Sequence, residues 1–248
     1  MPFGHWISSA LRTGGPPRLA LLGGHCWVCR AWTAGAVCGP CQGRFVARRP
    51  RCPLCAIEVP GAGLTCGTCL QRPPPQHRAV TALPYAYPWD GLIQRFKTRA
   101  AVELAAPLAQ LLADAVAQAM SEGVLARPDR VLPVPLAAAR LRERGHNQAW
   151  ELARRVAPAV RIDASAGWVE RVIDTPHQQA LPREARLSNL RGAFALTPRG
   201  RAELAGLRVA VVDDVMTTGA TVGELAGTLL RAGVAEVQVW VAARTPLG

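Results

Sequence analysis

The chain has 248 residues, half of them hydrophobic, and a formal net charge of +12 at pH 7. This composition excludes a disordered or fibrous chain, and the length suffices for one large domain or for a small and a medium-sized one. No apolar run approaches the roughly 20 residues of a membrane-spanning helix, since Glu103, Pro107 and Asp114 interrupt the longest one. The charge comes from 28 arginines and one lysine. Arginine suits phosphate partners, but GC-rich coding produces the same bias.

The N-terminal segment does not favour export. Arg12 and Arg18 supply positive charge, but the glycines and prolines at 14–17 break the segment. The apolar stretch at 19–22 is also too short for a signal peptide. We therefore expect a cytoplasmic location.

All the cysteines lie between positions 26 and 69, in four Cys-x-x-Cys pairs separated by eight, ten and ten residues. Two pairs on tight turns can complete a closed, four-thiolate zinc site. The pattern therefore predicts two structural zinc sites without an open ligand position, whose ligands are Cys26, Cys29, Cys38, Cys41, Cys52, Cys55, Cys66 and Cys69.

Two other interpretations of the cysteines are weaker. Disulfides need an oxidising compartment, which the missing export signal argues against. A redox Cys-x-x-Cys motif normally occurs once and beside a strand–helix unit. Sequential pairing of the motifs is expected, and the spacing leaves interleaved pairing open.

Prolines at 73–75 form a short, stiff stretch, which favours a domain boundary. We predict an N-terminal segment with a double zinc ribbon at 1–71, a linker at 72–78 and a second domain at 79–248.

In the second domain, short apolar runs alternate with segments of helical periodicity. The predicted strands lie near 79–87, 129–136, 167–172, 207–214 and 236–243, and the predicted helices at 89–97, from near 107 to about 120, at 138–156 and at 221–233. This alternation predicts an α/β fold with a mostly parallel sheet covered by helices.

Two adjacent acids, Asp213 and Asp214, follow the apolar run at 208–212, and Thr-Thr-Gly-Ala-Thr follows at 217–221 before a predicted helix. Ligands of such sheets bind at the carboxyl ends of the strands. A glycine-containing turn at a helix start offers free amides to a phosphate. The acids suit sugar hydroxyls, so the stretch predicts a site for a ribose 5-phosphate group.

Two alternatives explain less of this stretch. A nucleotide-binding loop of the Gly-x-x-x-x-Gly-Lys type needs a lysine, which is missing here. A helix cap by Thr217 or Thr218 accounts for one hydroxyl but not for the paired acids.

Several stretches of the sequence together resemble a known protein family. Residues 211–221 resemble the phosphoribosyl pyrophosphate loop of type I phosphoribosyltransferases. The four Cys pairs, "LPVPLAAARLRERGHNQAWELAR" and "RVIDTPHQQALPREARLSNLRGAF" resemble the ComF (GntX-like) family of bacterial competence proteins, over nearly the whole chain past residue 20. His146 departs from the pattern, because the family usually has an aromatic residue such as Phe there.

The resemblance implies a type I phosphoribosyltransferase-like sheet behind the zinc ribbons, and a set of site residues. The implied ribose and catalytic contacts are Asp213, Asp214, Arg186 and Gln178. The phosphate and pyrophosphate contacts are Thr217, Thr218, Gly219, Ala220, Thr221, Arg140, Arg144, Thr175 and Asn189. Residues 171–189 would form a flexible flap, and Mg²⁺ would bridge pyrophosphate and ribose oxygens.

Catalysis is left open by the sequence. Many relatives among the transferases carry an acid where this chain has Thr217, and threonine does not act as a general base here. Little chain follows the last strand to build a hood over a base, so we expect the zinc region to replace it and to present single-stranded DNA. The family implies this role in transformation, with a DNA-uptake helicase or other competence proteins as partners. An active phosphoribosyltransferase of nucleobase metabolism and a non-catalytic sugar-pyrophosphate sensor are the alternatives.

Overall fold

The structure, a computed structural model, describes residues 23–35, 37–46, 49–173 and 192–246. Its strands are β1 Gly24–His25, β2 Trp32–Thr33, β3 Arg78–Pro84, β4 Arg130–Pro133, β5 Asp163–Ala164, β6 Val169–Arg171, β7 Phe194–Leu196, β8 Arg208–Met216 and β9 Glu236–Arg244. Its helices are α1 Gly39–Phe45, α2 Gly67–Gln71, α3 Trp89–Phe96, α4 Ala105–Ser121, α5 Ala138–Arg144, α6 Gln148–Ala159, α7 Pro198–Leu204 and α8 Ala220–Arg231, with a 3₁₀ turn at Arg99–Leu104.

Five strands form a parallel sheet in the order β3-β9-β8-β4-β5. The central pair, β8 and β9, is in register from Arg208 opposite Glu236 to Met216 opposite Arg244. Apolar residues predominate in both strands, because helices cover the sheet on both faces. The predicted α/β fold class, a parallel sheet flanked by helices, is confirmed.

The two faces of the sheet hold separate cores. Side chains of β8 alternate between them: Ala210 and Val212 pack with α3, α4 and α6, whereas Val209 and Val211 pack with α7 and α8. Period-two alternation places these residues on opposite faces of the strand. Both faces are covered, so ligands approach the sheet at its edge.

Two predicted elements differ from the structure. The segment at 138–156 is two helices, because Gly145 ends α5 in a left-handed conformation and Asn147 caps α6. The strand predicted to end at Asp214 continues to Met216, since β9 pairs with it that far. Both aspartates are therefore inside the last part of the strand.

The cysteine modules pack directly on the α/β part. The indole Nε1 of Trp89 donates to the carbonyl of Phe45 at 2.9 Å, behind the first group of cysteines. The amide of Ala79, in β3, donates to the carbonyl of Pro53 at 2.8 Å, beside the second group. β3 begins at Arg78, and the division into 1–71, 72–78 and 79–248 stays a prediction. Across the described ranges, no helix combines the length and the hydropathy that crossing a bilayer requires.

Candidate functional site

A cavity of about 630 Å³ opens at the carboxyl edge of the sheet, beyond β4 and β8. Five residues predicted from the sequence line it: Asp213, Asp214, Arg140, Arg144 and Thr221. The turn after β4, at 134–136, forms part of the wall. The cavity thus combines three acidic residues, Glu143 and the two aspartates, with several cations at the edge where α/β sheets bind ligands.

The two aspartates are fixed by the backbone. Oδ1 of Asp213 accepts from the amide of Asp214 at 2.9 Å, and Oδ1 of Asp214 accepts from the amide of Val215 at 2.7 Å. One oxygen of each carboxylate is thereby held in place. The carboxylates are oriented before any ligand arrives, which favours tight binding.

The two acids have different electrostatic surroundings. Burial, and then the neighbouring charge of Asp214, raise the pKa of Asp213 well above its ordinary value. Asp214 is held by a cation instead: its Oδ2 lies 3.4 Å from Nζ of Lys97. Perturbed acids in a cleft are typical of functional sites.

Lys97 is a site residue that the sequence analysis missed. It follows α3, lines the same cavity and is the one lysine of a chain with 28 arginines. That isolated lysine was the available signal. The pairing with Asp214 could not be predicted, because the two residues are more than 100 positions apart in the sequence.

Arg140 and Arg144 are one turn apart on α5. Nη1 of Arg144 donates to Oε1 of the buried Gln148 at 3.1 Å, and Gln148 Nε2 donates to the carbonyl of Lys97 at 3.4 Å. Asn147 caps α6 and donates to the carbonyl of Val134 at 3.1 Å. These bonds connect α5, α6 and α3 around the cavity.

His146 fills the position where the family pattern has an aromatic residue. Its ring lies 6.0 Å from that of Phe96, and its nitrogens face the carbonyls of Arg144 and Phe96 at 3.1 and 3.2 Å. The imidazole therefore packs as an aromatic ring and links α3 to the end of α5.

The threonine-rich turn begins α8. Gly219 is the cap residue at φ 81°, a left-handed conformation that favours glycine. The hydroxyl of Thr218 accepts from the amide of Ala220 at 3.3 Å, but the cap residue is Gly219, so the alternative of a helix capped by Thr217 or Thr218 is not what the structure has. A helix start with free amides is a suitable place for a phosphate.

The turn contacts two cavities. Thr221 lines the cavity of the aspartates, whereas Thr217, Thr218 and Gly219 line a second one of about 230 Å³. Ala220 is not among the lining residues of either cavity. The second cavity is also lined by the cysteines at 55, 66 and 69, and by Arg72 and Gln76.

The predicted flap contacts Thr175, Gln178, Arg186 and Asn189 lie outside the described residues. The chain around them is described: β6 and β7 form an antiparallel pair, with Val172 N bonded to the carbonyl of Ala193 at 2.9 Å. Arg171, at the end of β6, lines the main cavity.

The eight cysteines form two groups, 26/29/38/41 and 52/55/66/69, which is the sequential arrangement. In each group the four sulfurs lie within 4.8 Å of one another. Cys29 Sγ and Cys38 Sγ are 3.5 Å apart, and Cys55 Sγ and Cys66 Sγ are 3.6 Å apart. Tetrahedral zinc with bonds of about 2.3 Å would separate its sulfurs by about 3.8 Å. Both groups could hold zinc.

In each group, backbone amides lower the pKa of one cysteine. Burial by itself raises the pKa of Cys26, but the amides of Cys29, Cys38 and Val28 outweigh it and lower the pKa to about 6. At Cys52, amides likewise outweigh burial and lower the pKa to about 7. Amides directed at sulfur support metal-bound thiolates, which carry the negative charge.

The fold and the site define the class of protein. It is an α/β protein with two N-terminal four-cysteine groups and a cavity lined by carboxylates and cations at the carboxyl edge of its parallel sheet. Comparison with known proteins then gives the family. The chain is 38% identical to DNA utilization protein YhgH of Salmonella typhimurium over 225 residues, or 90% of this chain and 97% of the relative. It is 36% identical to competence protein F of Haemophilus influenzae over 208 residues, or 84% and 90%. The chain belongs to the family of these proteins, the ComF family.

No protein-family model matches the chain. Among solved structures it is similar to a glutamine phosphoribosylpyrophosphate amidotransferase from B. subtilis, with 22% identity, 57% of this chain and 26% of that chain covered, and a TM-score of 0.39. It is also similar to a purine phosphoribosyltransferase from Pyrococcus horikoshii, with 16% identity, 55% and 72% coverage, and a TM-score of 0.33. These values are too low to bear on function.

Proposed function

We propose that this chain binds phosphoribosyl pyrophosphate, or a related ribose 5-phosphate ligand, in the cavity at the carboxyl edge of the sheet. One observation carries the proposal. Two oriented carboxylates, Asp213 and Asp214, share that cavity with Arg140, Arg144 and the helix-start residue Thr221. Carboxylates accept hydroxyl hydrogens, and arginines and helix amides bind phosphates. The site therefore offers complementary groups for each part of this ligand.

The proposed pose follows from the order of these groups. The ribose hydroxyls donate to Asp213 and Asp214, and the 5-phosphate accepts from the amides of 217–221. The pyrophosphate lies against the turn at 134–136 and the two arginines of α5. In this pose Lys97 screens the acids from the pyrophosphate, and the flap residues Thr175, Gln178, Arg186 and Asn189 complete the set.

Magnesium fits this donor set. Mg²⁺ takes hard oxygen ligands and keeps much of its water. The pyrophosphate and ribose oxygens would supply most of its ligands, with Asp213 and Asp214 as the suited protein groups. When bound, the ion neutralises charge on the pyrophosphate.

Single-stranded DNA is the proposed second ligand. Two relatives are named for DNA utilization and for competence. On this chain Trp32 is 70% exposed, as a stacking platform for bases requires. Trp27 and Phe45, by contrast, pack against the main core.

Other competence proteins, including a DNA-uptake helicase, are the proposed class of protein partner. The proposed location is the cytoplasm, because free thiols suited to zinc favour a reducing setting.

Turnover has one observation in its favour. The second cavity places the loop at 217–219 opposite the second cysteine group, which supports the idea that the zinc region replaces a hood. A small ring could enter it, so an active phosphoribosyltransferase is the alternative function. A non-catalytic sensor would bind the donor without releasing pyrophosphate.

Calorimetry tests the donor site. Titration of the zinc-loaded chain with phosphoribosyl pyrophosphate and Mg²⁺ should show one site, and Asp214→Asn should weaken it at least tenfold. Heat without pyrophosphate release indicates a sensor, and release on adding a base indicates a transferase. No binding by the unmodified chain would refute the proposal.

The DNA part needs its own test. Trp32→Ala should reduce the anisotropy change of a fluorescent single-stranded oligonucleotide, whereas Trp32→Phe, which keeps an aromatic face, should retain most of it. Stacking on one aromatic contributes about 1–3 kcal/mol. Equal affinity of the two variants would count against Trp32 as a platform.

A further inference from the structure

Arg244 connects the second cysteine group to the candidate phosphate loop. It is the last residue of β9 and is only 7% exposed. Its Nε donates to the carbonyl of Cys55 at 2.8 Å. Its Nη1 donates to the carbonyls of Met216 at 3.0 Å, Thr245 at 2.9 Å and Thr217. One guanidinium therefore holds the start of the loop and the backbone of a proposed zinc ligand.

The charge of this guanidinium has no carboxylate counterpart in the described part of the chain. No acid there forms an ion pair with it, in contrast to Arg51, which pairs with Glu58 at 3.3 Å. Carbonyl oxygens satisfy its donors but carry only partial charge. Burying a cation without an anion costs free energy, and removing the partner of a buried charge destabilises a protein strongly.

A zinc ion bound by the four thiolates of the second cysteine group would supply the missing anion. Zn²⁺ and four thiolates carry a net charge of about −2, and Cys55, whose carbonyl contacts Arg244, is in that group. The cysteines at 55, 66 and 69, Arg244 and the loop residues Thr217 and Gly219 line the same 230 Å³ cavity. The anion, the cation and the loop are thus contiguous.

We infer that Arg244 is a positioning residue for the phosphate loop, and that it couples zinc in the second cysteine group to ligand binding at that loop. The inference rests on the proposed function, because the ligand is the proposed sugar phosphate. Zinc stabilises the charged Arg244, and Arg244 fixes the carbonyls of 216 and 217, from which the loop starts. By reciprocity, a ligand on the loop must strengthen zinc binding by the factor with which zinc strengthens ligand binding.

The first cysteine group provides an internal control. It contacts α3 instead of the loop, through Phe45 and Trp89 and through the guanidinium of Arg95, 5.1 Å from the ring centre of Trp27. Its zinc should be insensitive to the ligand. Only the second group is joined to the loop by Arg244.

Zinc release to a chromogenic chelator tests this coupling on the full, zinc-loaded chain. Without ligand, two zinc ions per chain are released. With saturating phosphoribosyl pyrophosphate and Mg²⁺, one of the two should be retained about tenfold more strongly, within the usual range of roughly 5- to 150-fold, and the other should be unchanged. Arg244→Gln should abolish the retention, and Arg95→Gln, the matched control at the first group, should preserve it.

A second variant separates charge from geometry. Arg244→Lys keeps the cation but not the planar set of donors, so zinc release without ligand should stay close to that of the unmodified chain while donor affinity falls. It also serves if Arg244→Gln does not fold. Donor binding with equal release of both zinc ions, with and without donor, would overturn the coupling alone. Absence of donor binding to the unmodified chain would overturn the proposed function and the coupling together.

Discussion

At the scale of single residues, the acid pair shows how position changes the chemistry of one side-chain type. Asp214 has Lys97 as a partner, whereas partial burial and then the neighbouring charge of Asp214 raise the pKa of Asp213. Proton transfer to or from Asp213 therefore affects both stability and ligand binding. The two acids are adjacent in the sequence, which revealed the pair but not this difference.

Asp213→Asn should separate stability from binding. Because the pKa of Asp213 is raised on folding, the folded state holds this proton more tightly than the unfolded chain, where the pKa is about 3.9. The stabilisation is fully present below about pH 4 and is lost as the pH rises through the folded-state pKa. Asparagine has no such loss, so the Tm of the variant minus the Tm of the unmodified chain should increase with pH. The variant should also bind the donor more weakly than the unmodified chain.

Thermal unfolding between pH 4 and 9 measures that difference. Asp163→Asn is the control, because the Asp163 side chain is 86% exposed. A Tm difference that does not change with pH for Asp213→Asn would show that ionisation of Asp213 does not destabilise the folded chain.

Lys97→Gln should weaken donor binding about tenfold or more. Loss of the ammonium leaves the Asp214 carboxylate without its cation next to a pyrophosphate site, and a hydrogen bond to a charged group contributes about 1.5–3 kcal/mol. Calorimetry checks the affinity, and Lys97→Arg, which keeps the charge, should retain most of it. Unchanged affinity of Lys97→Gln would remove the lysine from the site.

At the scale of elements, the unit of strand, turn and helix at 208–231 is largely predictable from the sequence, because its signals are local. The apolar run, the acids and the glycine-containing turn follow one another. The break within 138–156 was predictable in principle, since Gly145 and Asn147 are ordinary end and cap residues. The prediction missed it because the helical spacing of apolar residues continues across the break.

Two glycines of this unit should respond oppositely to alanine. Gly219→Ala places a side chain at φ 81°, at a cost of about 1–2 kcal/mol, and should weaken donor binding by displacing the loop. Gly223→Ala, one turn into the same helix, meets only Pro75 at 3.8 Å and should stabilise by up to about 1 kcal/mol. Denaturant unfolding and calorimetry measure both effects. Equal stability of the two variants would contradict the assigned loop geometry.

At the scale of the whole molecule, the cysteine modules belong to the fold of the α/β part. Cys26, Cys38 and Cys41 are in the same core as Trp89 and Leu108, and the second group lies next to the loop at 217–219. The sequence predicts the groups from their spacing. It could not predict where they dock, because the contact from Cys55 to Arg244 joins positions 189 apart.

Removal of zinc should therefore destabilise the sheet domain as well as the modules. A strong chelator should lower Tm of the whole cooperative transition, since folding and metal binding are linked. Added Zn²⁺ should restore it, and Mg²⁺ should not. A chelated chain that keeps its Tm, measured by calorimetry, would show that the cysteine groups do not support the fold.

The central claim is that the carboxyl edge of β8 holds a sugar phosphate, and a crystal structure with phosphoribosyl pyrophosphate and Mg²⁺ tests it most directly. The account predicts ribose hydroxyl oxygens within about 3.2 Å of the carboxylates of Asp213 and Asp214, with the 5-phosphate on the amides of 217–221. A donor bound elsewhere, or an empty cavity at saturating donor, would contradict it.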